Sequence, residues 1–292
     1  MRKILNFGCS SMDYNKDYIC FAGDQIGLID KSNGNLLFKI SSVKNIISVC
    51  IDEKNIYAKK TNGTYYIIDI PTHCIIEKIN LMGKYSEAQD FPIYLLRDGV
   101  IFDLLNLENG ELCAIKYDFY KKTQEILTIP IGSNYSCVNY VVENEKTYLL
   151  FKERYCKSRD IIECPYIVID QKKMEITDRT CFSFESTNFP FGLVSKEFIL
   201  LKNLQIVNIY ALNRFGIRNE IGHEINKYGY FYKIIPIDKN SFILVFSKAV
   251  FVFDLQENKL IQKCSGKYLS SALCVDHKLY IGTWEEVFEV QL

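Results

Sequence analysis

Residues 47–69, ISVCIDEKNIYAKKTNGTYYIID, and residues 271–290, SALCVDHKLYIGTWEEVFEV, follow one plan. Each gives an apolar strand with a cysteine, an acidic turn, a second strand with a tyrosine, a polar turn and a third apolar strand. Residues 12–30 and 235–254 repeat it. The turn between the first two strands is the best counter of units. It recurs at Asn15–Asp17, Asp52–Asn55, Asp98–Gly99, Glu143–Lys146, Ser195–Glu197, Asp238–Asn240 and Asp276–His277, spaced about 37 to 52 residues apart. Asp, Asn, Gly and Ser suit such turns because they tolerate positive φ or bond their own backbone. Runs of Val, Ile, Leu, Phe and Tyr of strand length flank each one.

Several third strands end in an acid before another turn: Asp30, Asp69, Asp170 and Asp254, whereas unit three lacks a clear one. A fourth strand then follows, as at Leu36–Ile40, Ile75–Ile79, Ile126–Ile129 and Leu260–Cys264. No segment shows sustained helical periodicity. Four strands in each of seven units predict an all-β, seven-bladed β-propeller of four-stranded antiparallel blades. The expected blades are roughly 9–40, 46–79, 92–129, 137–179, 192–221, 232–264 and 270–292 plus 2–7, in a single domain over 1–292. The last unit runs out after three strands. Arg2–Phe7 is expected to pair with Val287–Val290 and close the ring, since an open ring leaves two unpaired edges.

Composition agrees with an all-β reading. Tyr and Phe number 20 and 19, against 15 Gly, 6 Pro and a single Trp, and aromatic enrichment favours strands. An apolar fraction of 48% is too high for a disordered chain. Lys plus Arg, at 35, balance Asp plus Glu, at 35, and the pI is near 6.8, which excludes the basic footprint of a nucleic-acid binder. No apolar run reaches the roughly 18 residues of a membrane-spanning helix, and no membrane partner is expected.

The eleven cysteines form no CxxC pair, and most lie in apolar runs, as do Cys50, Cys137 and Cys274. They read as small hydrophobes. Cys156 and Cys164 sit in a polar insertion without a nearby histidine. The opening MRKILNFGCSSMDY has too short an apolar stretch for a signal peptide, so a reducing, cytoplasmic address is expected.

The stretches YICFAGDQIGLIDKSNGNLLFKI (18–40) and LYIGTWEEVFEV (279–290) resemble repeats of pyrroloquinoline-quinone-type and YVTN-type propellers, which share a fold with WD-repeat proteins. The shared pattern is a strand ending in Gly or another small residue, a turn, a strand ending in Asp and an Asn-Gly type turn. The Trp-Asp dipeptide of WD repeats is absent, and Gly-His occurs once, at Gly222-His223, not as the opener of each unit. The resemblance implies a fold and not an activity. Quinone binding in that superfamily goes with eight blades, a Trp docking surface and often adjacent cysteines, so no cofactor is expected here.

Chemistry-bearing motifs are scarce. His73, His223 and His277 fall in or beside turns of different units, and no GxSxG or phosphate-cradling glycine motif appears. A channel metal held by scattered ligands would have Asp90, Asn139, Asn188 and Glu224 as candidates. No catalytic, cofactor or metal residue is assigned.

One set of connections is expected to be long: 80–92, 152–164, 180–192 and 222–232, all between second and third strands or between blades. Long loops on one face of a rigid scaffold are where binding usually resides. They are rich in aromatics and Arg, the residues enriched at interface hot spots. Candidate partner-binding residues are Tyr85, Phe91, Arg154, Tyr155, Arg159, Phe189, Tyr228, Tyr230 and Trp284, although any one aromatic could instead tuck under its loop as core. The leading expectation is a non-enzymatic scaffold recognising a protein or peptide. The alternative is a hydrolase-like, lactonase-like or carbohydrate-binding propeller using the channel mouth.

Overall fold

A computed structural model describes residues 2–80, 85–88, 91–107, 111–154, 160–210, 214–215, 227–238, 240–254, 256–257 and 259–291. The strands form seven antiparallel sheets, one per repeat, and the fold is a seven-bladed β-propeller. By contacts the chain divides into residues 1–130 with 270–292, and residues 131–269, which are taken in turn.

In the first unit, β1 (Arg2–Leu5) precedes blade one, made of β2 (Cys9–Tyr14), β3 (Tyr18–Gly23), β4 (Ile26–Asp30) and β5 (Leu36–Ile40). Blade two holds β6 (Ile46–Ile51), β7 (Asn55–Lys60), β8 (Thr64–Asp69) and β9 (Cys74–Asn80). Blade three has a first strand in two pieces, β10 (Tyr85–Ala88) and β11 (Tyr94–Arg97), both paired to β12 (Val100–Leu107), then β13 (Leu112–Asp118) and β14 (Thr123–Ile129). The 80–92 segment therefore contains a strand where the sequence suggested only loop.

The second unit holds blade four, β15 (Tyr135–Glu143), β16 (Lys146–Glu153), β17 (Ile161–Asp170) and β18 (Glu175–Glu185). Blade five is β19 (Pro190–Leu193), β20 (Phe198–Leu201), β21 (Ile206–Asn208) and the two-residue β22 (Arg214–Phe215). Blade six is β23 (Phe231–Pro236), β24 (Ser241–Phe246), β25 (Ala249–Asp254) and β26 (Lys259–Ser265). The last blade, β27 (Leu269–Val275), β28 (Lys278–Thr283) and β29 (Val287–Gln291), is completed by β1, which pairs β29 with Arg2 opposite Glu289 and Lys3 opposite Phe288. All seven expected turns lie between first and second strands.

Two of the expected loops are shorter than read. Residues 180–185 continue β18, and only 186–189 link it to β19. The alternation Cys181-Phe182-Ser183-Phe184-Glu185 is a strand pattern, with Phe182 and Phe184 packed on the core and the intervening residues exposed. Likewise β17 begins at Ile161, which puts Cys164 inside a strand and fully buried.

The cores lie between successive sheets. In blade two, Ile56, Ala58 and Ile68 face blade one, while Tyr57, Tyr65 and Ile67 face blade three. A middle strand buried on both faces must be apolar at successive positions, which explains the unbroken hydrophobic runs. Outermost strands are exposed, as in β9, where Cys74, Ile75 and Ile76 face solvent.

Polar side chains on first strands hold neighbouring blades together. Ser11 Oγ accepts from Val49 N (3.1 Å), Asp13 Oδ2 from Ile51 N (2.9 Å) and Ser48 Oγ from Ile93 N (2.8 Å). Ser270 and Ser271 donate to Cys9 O at 2.7 and 2.8 Å. In the second unit Asn139 does both, donating to Leu193 O (2.9 Å) and accepting from Leu193 N (2.7 Å). These bonds satisfy backbone groups that a sheet edge would leave unpaired.

The acids that end third strands also have a mechanism. Asp30, Asp69, Asp170 and Asp254 accept from backbone amides two or three residues on, locking the following turn. Asp118 does the same in unit three, bonding Tyr120 N and Lys121 N, so that unit does carry the acid.

Candidate functional site

In an antiparallel meander, turns between second and third strands emerge at the same sheet end as the links between blades. In the first unit two such turns meet beside Gly8. The β28–β29 turn is fixed by Thr283, whose Oγ1 accepts from Glu285 N (3.1 Å) and Glu286 N (3.0 Å). That tight cap leaves no room inside the turn for an indole, and Trp284 projects outward, 58% exposed. Glu285 is also exposed, while Glu286 is paired with Lys3 at 2.7 Å. The β3–β4 turn places Asp24 on the surface, with its amide donating to Gly8 O at 3.0 Å. A Cβ at Gly8 would collide with the Trp284 carbonyl oxygen and lie 2.5 Å from Asp24 Oδ2. Only glycine lets these two oxygens converge.

In the second unit Phe189 links β18 to β19. Its ring is partly buried on the cluster between blades four and five, 5.9 Å from Phe191. Lys152 Nζ lies 4.7 Å and Lys202 Nζ 5.4 Å from its centroid, a double cation–π contact. Arg154 is exposed and donates from Nε to Tyr135 O (3.0 Å). The ladder between β16 and β17 ends at Tyr166, since Pro165 has no N–H to donate. The freed end of the β17–β18 hairpin borders a groove of about 170 Å³ lined by Ile161, Ser183, Phe184, Glu185, Asn188 and Leu201.

Tyr228 is core-like, half-buried, with its ring edge-on to Phe251 at 4.8 Å. Tyr230 is 79% exposed, with its amide held by Ser247 Oγ at 3.0 Å. Phe91 is half-buried, and Tyr85 lies on β10. Tyr155 and Arg159 fall outside the described residues. The structure thus sets Phe189 at the seam of blades four and five under Lys152 and Lys202, ties Arg154 to Tyr135 within blade four, and brings the Trp284 carbonyl oxygen beside Asp24. Tyr228 and Phe189 contribute to the core instead of standing free.

Asp24 and Lys202 were missed from sequence, and Lys152 was visible only as part of the polar insertion 152–164. Their partners lie far away in the chain, and Gly8 is the one sequence trace of the Asp24–Trp284 approach. Of the candidate metal ligands, Asn139 bridges Leu193, Asn188 Oδ1 accepts from Asn203 N (2.9 Å), and Asp90 and Glu224 fall outside the described residues. Among the described residues no three His, Cys, Asp or Glu side chains are grouped to hold a metal ion. His73 and His277 are exposed turn residues at positive φ, and His223 falls outside the described residues.

No protein-family model matches the chain, and no curated protein sequence is similar to it. Solved structures do match. The computationally designed Ika8 protein aligns over 100% of both chains with a TM-score of 0.66 and 10% identity. The β-propeller domain of Cps50 (Swd1) from Myceliophteria thermophila aligns over 98% of each chain with a TM-score of 0.62 and 8% identity. BamB from Moraxella catarrhalis aligns over 97% of this chain and 83% of its own, with a TM-score of 0.54 and 11% identity. At such identities the likeness is one of fold.

Proposed function

We propose that this chain is a binding module without catalytic chemistry of its own, and that it recognises a protein or peptide through the sheet ends that carry the second-to-third-strand turns. The observation that carries the reading is Trp284, the chain's one tryptophan, held out from a capped turn at 58% exposure. A large aromatic ring in water is costly to keep there and rewarding to cover, and Trp is the residue most enriched in binding hot spots. Exposed Tyr230 offers a further anchor on the other unit. Sharing a fold with the Swd1 domain and BamB is compatible with such a role and carries none of their partners over.

The test is affinity capture from the native cell with the wild-type chain, Trp284→Ala and Tyr230→Ala. Loss of a defined set of partners from at least the Trp284→Ala sample is expected. Retention of the same set by both variants would refute the use of these turns.

A further inference from the structure

We propose that the β24–β25 turn end of blade six takes an acidic peptide segment of a protein partner. Its Asp or Glu carboxylates would meet Lys248 and Lys267, and its chain would lie over Tyr230. The proposal rests on the binding reading above and names the chemistry of what is bound.

Backbone hydrogen bonds bring three passages of chain together there. Tyr230 N donates to Ser247 Oγ (3.0 Å), Ser247 N to Tyr230 O (2.8 Å) and Lys248 N to Tyr228 O (3.0 Å). The same turn accepts from Gly266 N at Lys248 O and from Leu269 N at Ser247 O, both at 3.1 Å. Lys267 and Tyr268 lie between those two donors, so they too sit beside the turn. Gly229 has φ +82°, and a Cβ there would collide with Ser247 Oγ, so glycine is needed for the link to pass this close. Phe231 packs inward, stacked on Phe191 at 4.7 Å, while its neighbours Tyr230 and Tyr232 are 79% and 42% exposed. Tyr268 is exposed as well.

Charge is sorted along this blade. Residues 227–237, 241–253 and 259–269 contain no Asp or Glu. Asp238, Asp254 and Glu257 belong to the opposite end, in or beside the β23–β24 and β25–β26 turns. Lys248 and Lys267 are exposed, and among the described residues no carboxylate pairs with either. Ammonium groups and phenol hydroxyls both donate to carboxylate oxygens, and positive charge steers an acidic segment toward them. No arginine occurs between residues 227 and 269, and the whole chain balances 35 basic against 35 acidic residues. Phosphate recognition favours the planar arginine fork, so peptide carboxylates suit this surface better than a nucleic acid.

The intact protein would be panned against a library of random dodecapeptides, and selected peptides titrated by fluorescence polarisation. Enrichment in Asp and Glu is expected, with affinity falling as ionic strength rises. Lys248→Gln/Lys267→Gln should bind these peptides about threefold to tenfold more weakly. Lys248→Arg/Lys267→Arg, which keeps the charge, should bind them as the wild type does. Both variants should keep the wild-type melting temperature, because the altered side chains stand in water. Selection of basic or uncharged peptides, no selection at all, or equal binding by the glutamine variant would overturn the proposal. So would tighter binding of an oligothymidine of the same length. Native-cell capture separates this failure from that of the wider reading. Partners lost with Tyr230→Ala but kept by the glutamine variant would sink only the acidic segment. Partners kept by Trp284→Ala, Tyr230→Ala and the glutamine variant alike would sink both.

Discussion

Lys59 Nζ lies 2.8 Å from Asp103 Oδ1, and both side chains are fully covered between blades two and three. Lys59 comes from β7 and Asp103 from β12. Asp103 also accepts from the Tyr65 hydroxyl and from Leu104 N (2.7 Å). Burial pushes the Asp103 carboxyl upward, against the pull of Lys59 and these donors. An ion pair in such a place fixes how the two sheets meet, because neither charge tolerates the absence of the other.

Removing one partner should therefore cost far more than removing both. Lys59→Met or Asp103→Leu alone is expected to lower unfolding free energy by about 3–5 kcal/mol, and the double variant to recover most of that loss. Denaturant titrations of the four proteins measure the coupling. Additive losses would show that the pair is not what joins the blades.

Asp13 gives a carboxylate with an unusual pH dependence. Although the residue is only partly covered, its carboxyl is buried against the Ile51 amide, and burial raises it from 3.8 to about 6. A raised folded-state value means that its favourable contribution is complete below pH 3.8 and is lost as pH rises through about 6. Asp13→Asn should remove that loss, leaving the variant about 1–2 kcal/mol more stable than wild type at pH 8 and closer to it at pH 4. Thermal melts across that range check the sign. The exposed turn acids Asp30, Asp69 and Asp170 are lowered by bonds from their own turns and act oppositely, withdrawing support as pH falls.

The chain's first residues bear weight in the last blade. Leu5 and Phe7 are buried with Leu273, Tyr280 and Val287. Leu5→Ala is expected to cost about 2–5 kcal/mol and Phe7→Ala about 3–5 kcal/mol. Deleting residues 2–7 should lower stability by more than either. A deletion that leaves the denaturation midpoint unchanged would show the segment to be an ornament.

Trp284→Ala should act on binding and spare folding. The side chain is largely in water, so the change in stability is expected within about 0.5 kcal/mol. Wild-type emission should be that of a solvated indole and readily quenched by acrylamide. A blue-shifted, protected emission would place the ring in a core.

The repeat was legible because its turns are made by chemistry that a sequence displays. Asp30, Asp69, Asp170 and Asp254 stand at strand ends and cap the next turn with their own carboxylates. Asp118 performs the same task without a visible turn signal, because aromatic Phe119 and Tyr120 follow it in place of Gly or Pro. The end of β18 reads as loop because solvent-facing Cys181, Ser183 and Glu185 interrupt the apolar run between its core-facing phenylalanines. Blade three's broken first strand had no signal at all, since β10 is specified by its partner β12 and not by its own pattern.

For the site, the exposure of Trp284 followed from its polar turn. Its approach to Asp24 did not, because it depends on how the last blade meets blade one. The serines at blade seams illustrate the same limit. Ser11 and Ser48 look like polar interruptions in apolar runs until the next blade's backbone amides are seen opposite them.

Amide hydrogen exchange at the two chain ends tests the closure most directly. The account predicts that amides of residues 2–5 bonded to β29 exchange far more slowly than unstructured chain, alongside protected residues 287–290. Exchange of 2–5 at the rate of unstructured chain, with 287–290 still protected by β28 alone, would contradict it.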